Sequence, residues 1–385
     1  MTALSRRNFV ALGASAVFAS SFGARMAFAR AATNRRFVFI IQRGAADGLH
    51  TVAPVGDPAY AGQRGSLAED FATAPKLDDM FALHPSMKNI HALYGAKQAL
   101  FLHAVASPYR DRSHFDGQNV LETGGTSAYQ LKDGWLNRLL TLLPADDKAI
   151  ALAATVPMAL RGAVEVASYA PSGLPDASDD LLARVSQMYQ GDAQLHGIWE
   201  QATATRMLTS DLASDNGRNA AATGDLAAKM LAAENGSRIA MIETGGWDTH
   251  AGQKGRLAGQ LNGLDQMVGA LQKGLGPLWS DTVVLVATEF GRTVKVNGTQ
   301  GTDHGTASCA MLMGGAVNGG RVVADWPGLS DAALYESRDL KPTLGLDTVI
   351  GSTLSAHFGL MPQTAARKLF PEVQMARPLQ DLVRA

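Results

Sequence analysis

The chain has 385 residues and a mass of 40.5 kDa, with 46% hydrophobic and 18% charged residues, enough to bury one large core or two ordinary ones. Its 34 Lys and Arg against 35 Asp and Glu give a net charge of −1, so no basic field favours a nucleic acid partner. Cys309 is the single cysteine, which excludes an intramolecular disulfide framework and a multi-cysteine zinc site. These numbers predict a soluble globular protein.

Residues 1–29 have the pattern of a twin-arginine signal peptide. Arg6 and Arg7 precede an apolar stretch that is too short to hold a bilayer, and a small-residue cleavage pattern follows it. The alternative is a short N-terminal anchor that stays attached. We expect export through the twin-arginine (Tat) translocase, which moves folded proteins. The mature protein would then be periplasmic or secreted, without a stable membrane anchor.

Four short apolar runs are predicted to be buried strands, and each leads into a polar cluster. Helical patterns lie between them, and alternating strands and helices indicate an α/β protein with a mostly parallel sheet and helices on both faces. Ligands in such sheets collect at the carboxyl ends of the strands. The strands are residues 37–41, 99–105, 238–242 and 282–287, and the helices are 87–94, 117–123 and 257–275.

Two other segments have a different character. Residues 176–234 contain helical patterns over 181–189 and 198–211 without a strand signal, which predicts a helical insertion or cap on an α/β domain of residues 30–385. Two more outer helices of the same domain would also explain the pattern. Residues 58–75 are predicted to form an irregular, Gly- and Ala-rich surface segment.

Acidic and imidazole side chains recur after the strands. Asp248 and His250 are two residues apart, so an extended backbone would point both the same way. Glu289 directly follows a strand, where a carboxylate is costly unless it is paired or metal-bound. The alternatives are a turn with a solvent-facing histidine at 248–250 and an ion pair between Glu289 and Arg292.

Two further groups complete this set. Asp303 and His304 form a second acid–imidazole pair, bracketed by glycines. Asp47 lies in a glycine-flanked loop after the first strand, where an Asx-turn is the alternative. Clustered at neighbouring strand ends, these carboxylates would repel one another without one or two divalent cations. The histidines favour Zn²⁺ or Mn²⁺, while Mg²⁺ or Ca²⁺ would also accept the oxygen ligands.

The loop from Ser107 into the next helix holds a second group of reactive side chains. Arg110 and Arg112 carry forked donors suited to a phosphate or sulfate group. Ser113 is either only a helix N-cap or also a nucleophile beside a metal, and Ser107 is the competing nucleophile. His114 fits a ligand, a general acid or a packed loop residue equally well.

Taken in order, these motifs resemble the bacterial domain-of-unknown-function family 1501, which is similar to the alkaline phosphatase and sulfatase superfamily. The resemblance spans about residues 36–360. It implies a three-layer α/β/α sandwich with a metal site at the strand ends that hydrolyses phosphate or sulfate esters. The motifs are the leader, Arg43–Gly48, Ser107–Arg110, Ser113–Phe115, Gly246–His250, Glu289–Thr293 and Gly301–Gly305.

The resemblance also implies roles for single residues. Asp47, the pair Asp248 and His250, and His304 match metal ligands, and Ser113 falls at the nucleophile position. Glu289 falls where an Asp-His pair normally follows the strand, so Phe290 stands in place of that histidine.

Two functions follow from the sequence. The first is an exported, metal-dependent hydrolase of sulfate or phosphate esters, acting on an anionic small-molecule or glycan substrate. The second is a non-catalytic exported binding protein that keeps a degenerate form of the same fold, which the Phe290 substitution motivates.

Overall fold

The computed structural model describes residues 34–145, 147–170, 179–192, 195–196, 199, 219–234, 236–374 and 377–384. The predicted signal peptide, residues 1–29, lies outside these residues, as does nearly all of the helix predicted over 198–211. Among the described helices, none combines the length and apolar character that a membrane span requires.

A nine-stranded sheet forms the centre of the molecule, in the order β10-β4-β9-β8-β1-β7-β5-β6 with β11 beside β4. A separate pair, β2 and β3, forms a small antiparallel ladder. The strands are β1 Arg36–Gln42, β2 Val52–Ala53, β3 Ala82–Leu83, β4 Ala99–Ala106, β5 Ala149–Leu152, β6 Ala167–Ser168, β7 Ile239–Thr244, β8 Thr282–Ala287, β9 Ser308–Met313, β10 Arg321–Val323 and β11 Leu344–Gly345.

Strand direction brings five loops to one edge of this sheet. β1 is parallel to β7 and β8, and β4 and β8 are each antiparallel to β9, so β4, β8, β1 and β7 all end at the same edge. Since β9 runs the other way, the loop that precedes it reaches this edge too. The prediction of a mostly parallel sheet is confirmed, with β9 as the antiparallel exception.

Helices cover both faces because the central strands are apolar on both faces. In β1, Val38 and Ile40 pack with α3, α7 and α8, whereas Phe37, Phe39 and Ile41 pack with α5, α9 and α10. This arrangement confirms the three-layer α/β/α sandwich. The helices are α1 Gly48–Thr51, α2 Tyr60–Arg64, α3 Lys88–Gly95, α4 His114–Thr123, α5 Trp135–Leu140, α6 Asp179–Tyr189, α7 Ala220–Ala232, α8 Gln253–Leu275, α9 Leu346–Phe358 and α10 Pro362–Leu369.

The segment over 58–75 is more ordered than its composition predicts. It contains α2 and a 3-10 helix, Gly65–Phe71, and Arg64 at the end of α2 is fully buried. The prediction of irregular structure was therefore wrong. The surface position is confirmed for residues such as Gly62 and Glu69, whereas Arg64 points inward to a buried carboxylate. α6 falls within the predicted insertion of residues 176–234, which stays a prediction.

Candidate functional site

Three histidines and one carboxylate meet at the edge of the sheet where β4, β8, β1 and β7 end. His114 is the first residue of α4, and Asp248 and His250 follow β7. His304 precedes β9 and forms an isolated bridge with Arg292. We call these four residues the histidine centre. Its members come from three separate chain segments, which the sheet topology brings together.

The Nδ1 atom of each imidazole in the histidine centre faces a hydrogen-bond acceptor. His114 Nδ1 lies 2.8 Å from Glu289 Oε1, and His250 Nδ1 lies 3.1 Å from Asp303 Oδ1. His304 Nδ1 lies 2.9 Å from the backbone carbonyl of Arg112. An acceptor at Nδ1 favours the tautomer that carries its proton there, which leaves the Nε2 lone pair free. Metal-binding histidines in proteins are oriented in this way.

The Nε2 atoms of the three histidines point toward the Asp248 carboxylate. His250 Nε2 lies 3.0 Å from both His304 Nε2 and Asp248 Oδ1, and His304 Nε2 lies 3.3 Å from Asp248 Oδ1. His114 Nε2 is 3.4 Å from Asp248 Oδ2 and has no hydrogen-bond partner among the described residues. Ligand atoms about 2.0–2.1 Å from a tetrahedral zinc lie roughly 3.3 Å apart. His114, Asp248 and His304 offer ligand atoms that all lie within 4.8 Å of one another, so these three residues fit a divalent metal, and His250 contacts two of them.

Charge and burial set different proton affinities within the histidine centre. The hydrogen bond to Glu289 raises the pKa of His114. Burial lowers the pKa of His304, and the neighbouring His114 lowers it further. His304 therefore stays neutral at pH 7, which is the form that binds metals.

Glu289 holds His114 in position through the ring nitrogen that faces away from Asp248. Its side chain is fully buried, and Oε1 accepts hydrogen bonds from His114, from the backbone N–H of Gly44 at 2.8 Å and from Gln118 at 3.2 Å. Burial alone would raise the pKa of Glu289, but the hydrogen bond from His114 and the other donors lower it. Glu289 is thus a carboxylate that orients His114, and it makes no ion pair with Arg292.

Arg292 pairs with Asp248 instead. Its Nη1 donates to Asp248 Oδ1 at 2.6 Å, while its remaining donors bond Thr302. Burial alone would raise the pKa of Asp248, but the hydrogen bond and positive charge of Arg292 lower it. Asp248 is therefore ionised at neutral pH, as a metal ligand must be.

Glycines allow the segments of the centre to approach closely. A Cβ at Gly44, where φ is +118°, would lie 2.6 Å from the backbone nitrogen of Asp248. A Cβ at Gly301 would lie 2.3 Å from the backbone carbonyl of His250. Contacts this short exclude any side chain at these positions, so both glycines are needed for the loops to meet.

Asp47 lies apart from the histidine centre. It is buried, forms an ion pair with Arg64, and accepts a hydrogen bond of 2.6 Å from Gln253 Nε2. It also caps α1 by accepting from the N–H of His50. The charge of Arg64 neutralises Asp47, so this carboxylate needs no cation in its present contacts.

A second cluster, which the sequence reasoning missed, consists of His50, Asp70 and His84. Ligand atoms from the three residues lie within 4.8 Å of one another, and His50 Nε2 is 3.0 Å from Asp70 Oδ2. Here both Nδ1 atoms face donors: the N–H of Ser86 at His84, 3.2 Å away, and the amide of Gln253 at His50, 3.4 Å away. The protons therefore belong on Nε2, so no free lone pair points inward.

The predicted nucleophiles differ in their surroundings. Ser113 is at the N-cap position of α4, but its side chain makes no cap hydrogen bond. Ser107 is 5% exposed, and its Oγ accepts from the N–H of Tyr109 at 3.3 Å. Ser113 is therefore the freer hydroxyl, and it directly precedes His114.

The predicted anion-binding arginines bond elsewhere. Arg112 forms ion pairs with Asp339, at 2.8 Å, and with Glu336, at 2.5 Å. Arg110 donates to the backbone carbonyls of Ser107 and Tyr109. The contribution of Arg112 to the histidine centre is instead its carbonyl oxygen.

Phe290 forms an aromatic wall of the centre. It is buried and stacks on His114 with ring centroids 5.1 Å apart and planes at 25°, and its centroid is 5.3 Å from that of His304. An apolar ring at this position offers no ligand for a second ion.

Among solved structures, three are similar to this chain over most of its length. They are Ps i-CgsB in complex with k-i-k-neocarrahexaose (12% identity, 88% of this chain and 76% of that chain, TM-score 0.42), alkaline phosphatase from the Antarctic bacterium TAB5 (11%, 88% and 99%, 0.38), and the phosphonate monoester hydrolase of Agrobacterium radiobacter (10%, 85% and 74%, 0.38). At these scores the likenesses carry no argument about activity. The fold is established by the sheet and helices of the chain itself.

A comparison with curated proteins found no match. The family model described as "Protein of unknown function (DUF1501)" matches residues 34–366, which include every residue of the histidine centre. The family predicted from the motifs is thereby confirmed: the chain belongs to the DUF1501 family.

Proposed function

We propose that this chain is an exported, metal-dependent hydrolase of sulfate or phosphate esters. One observation carries the proposal: each of three imidazoles has an acceptor within hydrogen-bond distance of Nδ1, and their Nε2 atoms lie within 3.4 Å of the Asp248 carboxylate. His114, Asp248, His250 and His304 would hold the ion. An acceptor hydrogen-bonded to the ring nitrogen that faces away from the metal makes the other nitrogen more basic and fixes the orientation of the ring.

The donor chemistry favours Zn²⁺ or Mn²⁺. Nitrogen donors outnumber oxygen donors in the histidine centre, whereas Mg²⁺ and Ca²⁺ prefer oxygen ligands. Phe290 lies beside His114 and His304 and provides no ligand. We therefore propose one ion rather than two, with Asp47 as a structural carboxylate and not a ligand.

When bound, the divalent ion would supply Lewis-acid chemistry, polarising the ester and lowering the pKa of a neighbouring hydroxyl. Ser113 is the proposed nucleophile, because its hydroxyl is not used in capping and it adjoins His114. Its Oγ would lose its proton to solvent and form a bond to sulfur or phosphorus as the bond to the alcohol oxygen breaks. That oxygen would take up a proton from solvent and leave as the alcohol. Water would then release the sulfate or phosphate from Ser113.

The N-terminus of α4 is the proposed binding site for the phosphate or sulfate group of the ester. The first N–H groups of a helix point outward with a partial positive charge, which favours a phosphate or sulfate group there. Arg110 and Arg112 are engaged by carbonyls and carboxylates, so we give α4 the larger share of anion binding.

The route of export rests on the leader sequence. The twin-arginine pattern of residues 1–29 supports transport of a folded, metal-loaded chain to the periplasm or the medium. The near-neutral net charge of −1 supports a small-molecule or glycan ester rather than a nucleic acid as substrate.

The test uses the full chain, folded in the cytoplasm of the cell that naturally makes it and purified without a chelator. We expect one bound divalent ion per chain by elemental analysis, and hydrolysis of an aryl phosphate or an aryl sulfate. Ser113→Ala should lower kcat at least 1,000-fold while the metal content stays at one. Ser107→Ala is the matched control and should keep most of the activity.

Other outcomes would contradict the proposal. A metal-free protein that hydrolyses neither ester would favour the non-catalytic binding protein. Full activity in Ser113→Ala together with loss of activity in Ser107→Ala would move the nucleophile to Ser107. Chelator treatment should abolish hydrolysis, and readdition of Zn²⁺ or Mn²⁺ should restore it.

A further inference from the structure

One buried amide joins two of the loops that carry the histidine centre. Gln253 is the first residue of α8, and its side chain is fully buried. Its Oε1 accepts hydrogen bonds from Thr249 Oγ1 at 3.0 Å and from Thr302 Oγ1 at 2.6 Å. Thr249 lies between the two candidate ligands of the loop after β7, and Thr302 lies two residues before His304. Gln253 therefore contacts both loops, although it is not part of the centre.

The Asp47 carboxylate determines which way this amide faces. Gln253 Nε2 donates to Asp47 Oδ2 at 2.6 Å, and an ionised carboxylate only accepts hydrogen bonds. The opposite orientation would place the amide oxygen against the carboxylate, so two negative groups would repel each other. Oε1 must therefore face the two threonines, and each threonine hydroxyl must donate its proton to it.

The hydroxyl of Thr302 in turn fixes the position of Arg292. Because its one proton is donated to Gln253, Thr302 Oγ1 accepts from Arg292 Nε, which lies 3.2 Å away. The backbone carbonyl of Thr302 accepts from Nη2 of the same guanidinium. Two hydrogen bonds along one edge fix the plane of the guanidinium, since its donors form a rigid fork. Nη1 is thereby directed at Asp248 Oδ1, 2.6 Å away.

Burial makes these contacts difficult to replace. Asp47, Gln253, Thr302 and Arg292 are each at most 1% exposed, so bulk water does not reach them. If the Thr302 hydroxyl were removed, Arg292 Nε would lose its acceptor inside the protein, where an unpaired donor is unfavourable. The guanidinium would then turn toward another acceptor, and its contact with Asp248 would weaken.

We propose that Gln253 and Thr302 are positioning residues of the histidine centre. They fix Arg292, and Arg292 holds the Asp248 carboxylate beside the three imidazoles. The inference rests on the metal site of the proposed function and not on its ester chemistry. It also gives Asp47 a role at the centre: although this carboxylate is not a ligand, it orients the amide from which the other hydrogen bonds follow.

The experiment measures the affinity of the metal-free full chain for Zn²⁺ and for Mn²⁺ by competition with a chromogenic chelator. Thr302→Val keeps the shape of the side chain but removes the hydroxyl, and it should lower the affinity about tenfold. Gln253→Met removes the amide and should cause a loss of similar size. Thr302→Ser restores the hydroxyl and should bind the metal nearly as tightly as the unaltered chain.

Thr282→Val is the matched control. Thr282 is also fully buried, and its hydroxyl donates to the backbone carbonyl of Leu278 at 2.7 Å. It is the first residue of β8, whereas the centre lies beyond the last residue of that strand. This variant loses a buried hydroxyl of the same kind, so its metal affinity should be unchanged. Thermal unfolding would confirm that each variant is folded.

The inference and the proposed function fail in different ways. If Thr302→Val binds metal as tightly as Thr282→Val, or if Thr302→Ser binds as weakly as Thr302→Val, the hydroxyl does not position the ligand and the inference is wrong. The hydrolase proposal would survive that result. If the unaltered chain binds neither Zn²⁺ nor Mn²⁺, the proposed function falls and the inference falls with it. Should Thr302→Val not fold, Gln253→Met decides, and an affinity equal to that of Thr282→Val would contradict the inference.

Discussion

The histidine centre and the His50–Asp70–His84 cluster contain the same residue types but differ in where their imidazole protons belong. In the centre, carboxylates and a carbonyl accept from Nδ1, so the Nε2 lone pairs converge. In the cluster, an N–H and an amide donate to Nδ1, so the protons belong on Nε2. Proximity of histidines and acids is therefore not enough for a metal site. Whether the histidines can bind a metal depends on whether Nδ1 faces a hydrogen-bond acceptor or a donor.

The largest expected effect separates the two regions directly. His304→Ala removes a ligand from the histidine centre, so bound metal should fall from one per chain to near zero. His84→Ala, the matched change in the cluster, should leave one ion bound. Elemental analysis after dialysis measures both. Retention of metal in His304→Ala with loss in His84→Ala would reverse the assignment.

A smaller effect is expected from the residue behind His114. Glu289→Gln keeps the size of the side chain but weakens the acceptor that orients His114. Metal affinity should fall about 10–100-fold, the usual loss when the hydrogen-bond partner of a metal-binding histidine is changed. Competition with a chromogenic chelator measures this change, and Asp70→Asn is the control with unchanged affinity. Equal losses of metal affinity in Glu289→Gln and Asp70→Asn would contradict the assignment of the metal to the histidine centre rather than to the His50–Asp70–His84 cluster.

The stability of the metal-free protein in acid should depend on His50, which lies in the His50–Asp70–His84 cluster. Burial lowers the pKa of His50 from 6.5 to about 4. Between these values the unfolded chain binds a proton that the folded chain does not, so stability falls as the pH falls. From pH 7 to pH 5 this loss is about 2 kcal/mol. His50→Gln should reduce the pH dependence of urea unfolding by that amount, and an unchanged dependence would contradict the burial of a neutral His50.

The smallest effect is expected at Asp303, the acceptor of His250. This carboxylate is 51% exposed, so water can replace it as the partner of Nδ1. Asp303→Asn should weaken metal binding less than tenfold in the same chelator competition. A loss larger than that of Glu289→Gln would mean that burial does not set the strength of these supporting contacts.

Much of the fold was predictable because its strands are long and apolar. The run over 282–287 coincides with β8, and the predicted strands over 37–41 and 99–105 fall within β1 and β4. The antiparallel direction of β9 was not predictable, since pairing partners are set by tertiary contacts. Its consequence is that the loop before β9, rather than the loop after it, delivers His304 to the centre.

The candidate site was predictable in part for the same reason. Residues that directly follow or precede core strands, such as Asp248 and His304, meet as the topology requires. The partners of Asp47 were not predictable, because Arg64 lies in a segment whose composition indicates irregular surface structure. Likewise, spacing alone suggests an Arg292–Glu289 pair, whereas loop geometry turns Arg292 to Asp248.

The candidate ligands of the histidine centre come from α4, from the loop after β7 and from the loop before β9. An ion bound there would cross-link three distant parts of the chain. Such an ion would bind only the folded chain and would stabilise it by about 4 kcal/mol at a free concentration 1,000 times its Kd. The melting temperature should then rise with metal supply. Scarcity of the ion would lower the activity of the protein. It would also leave more of the chain unfolded, so proteases would degrade it faster.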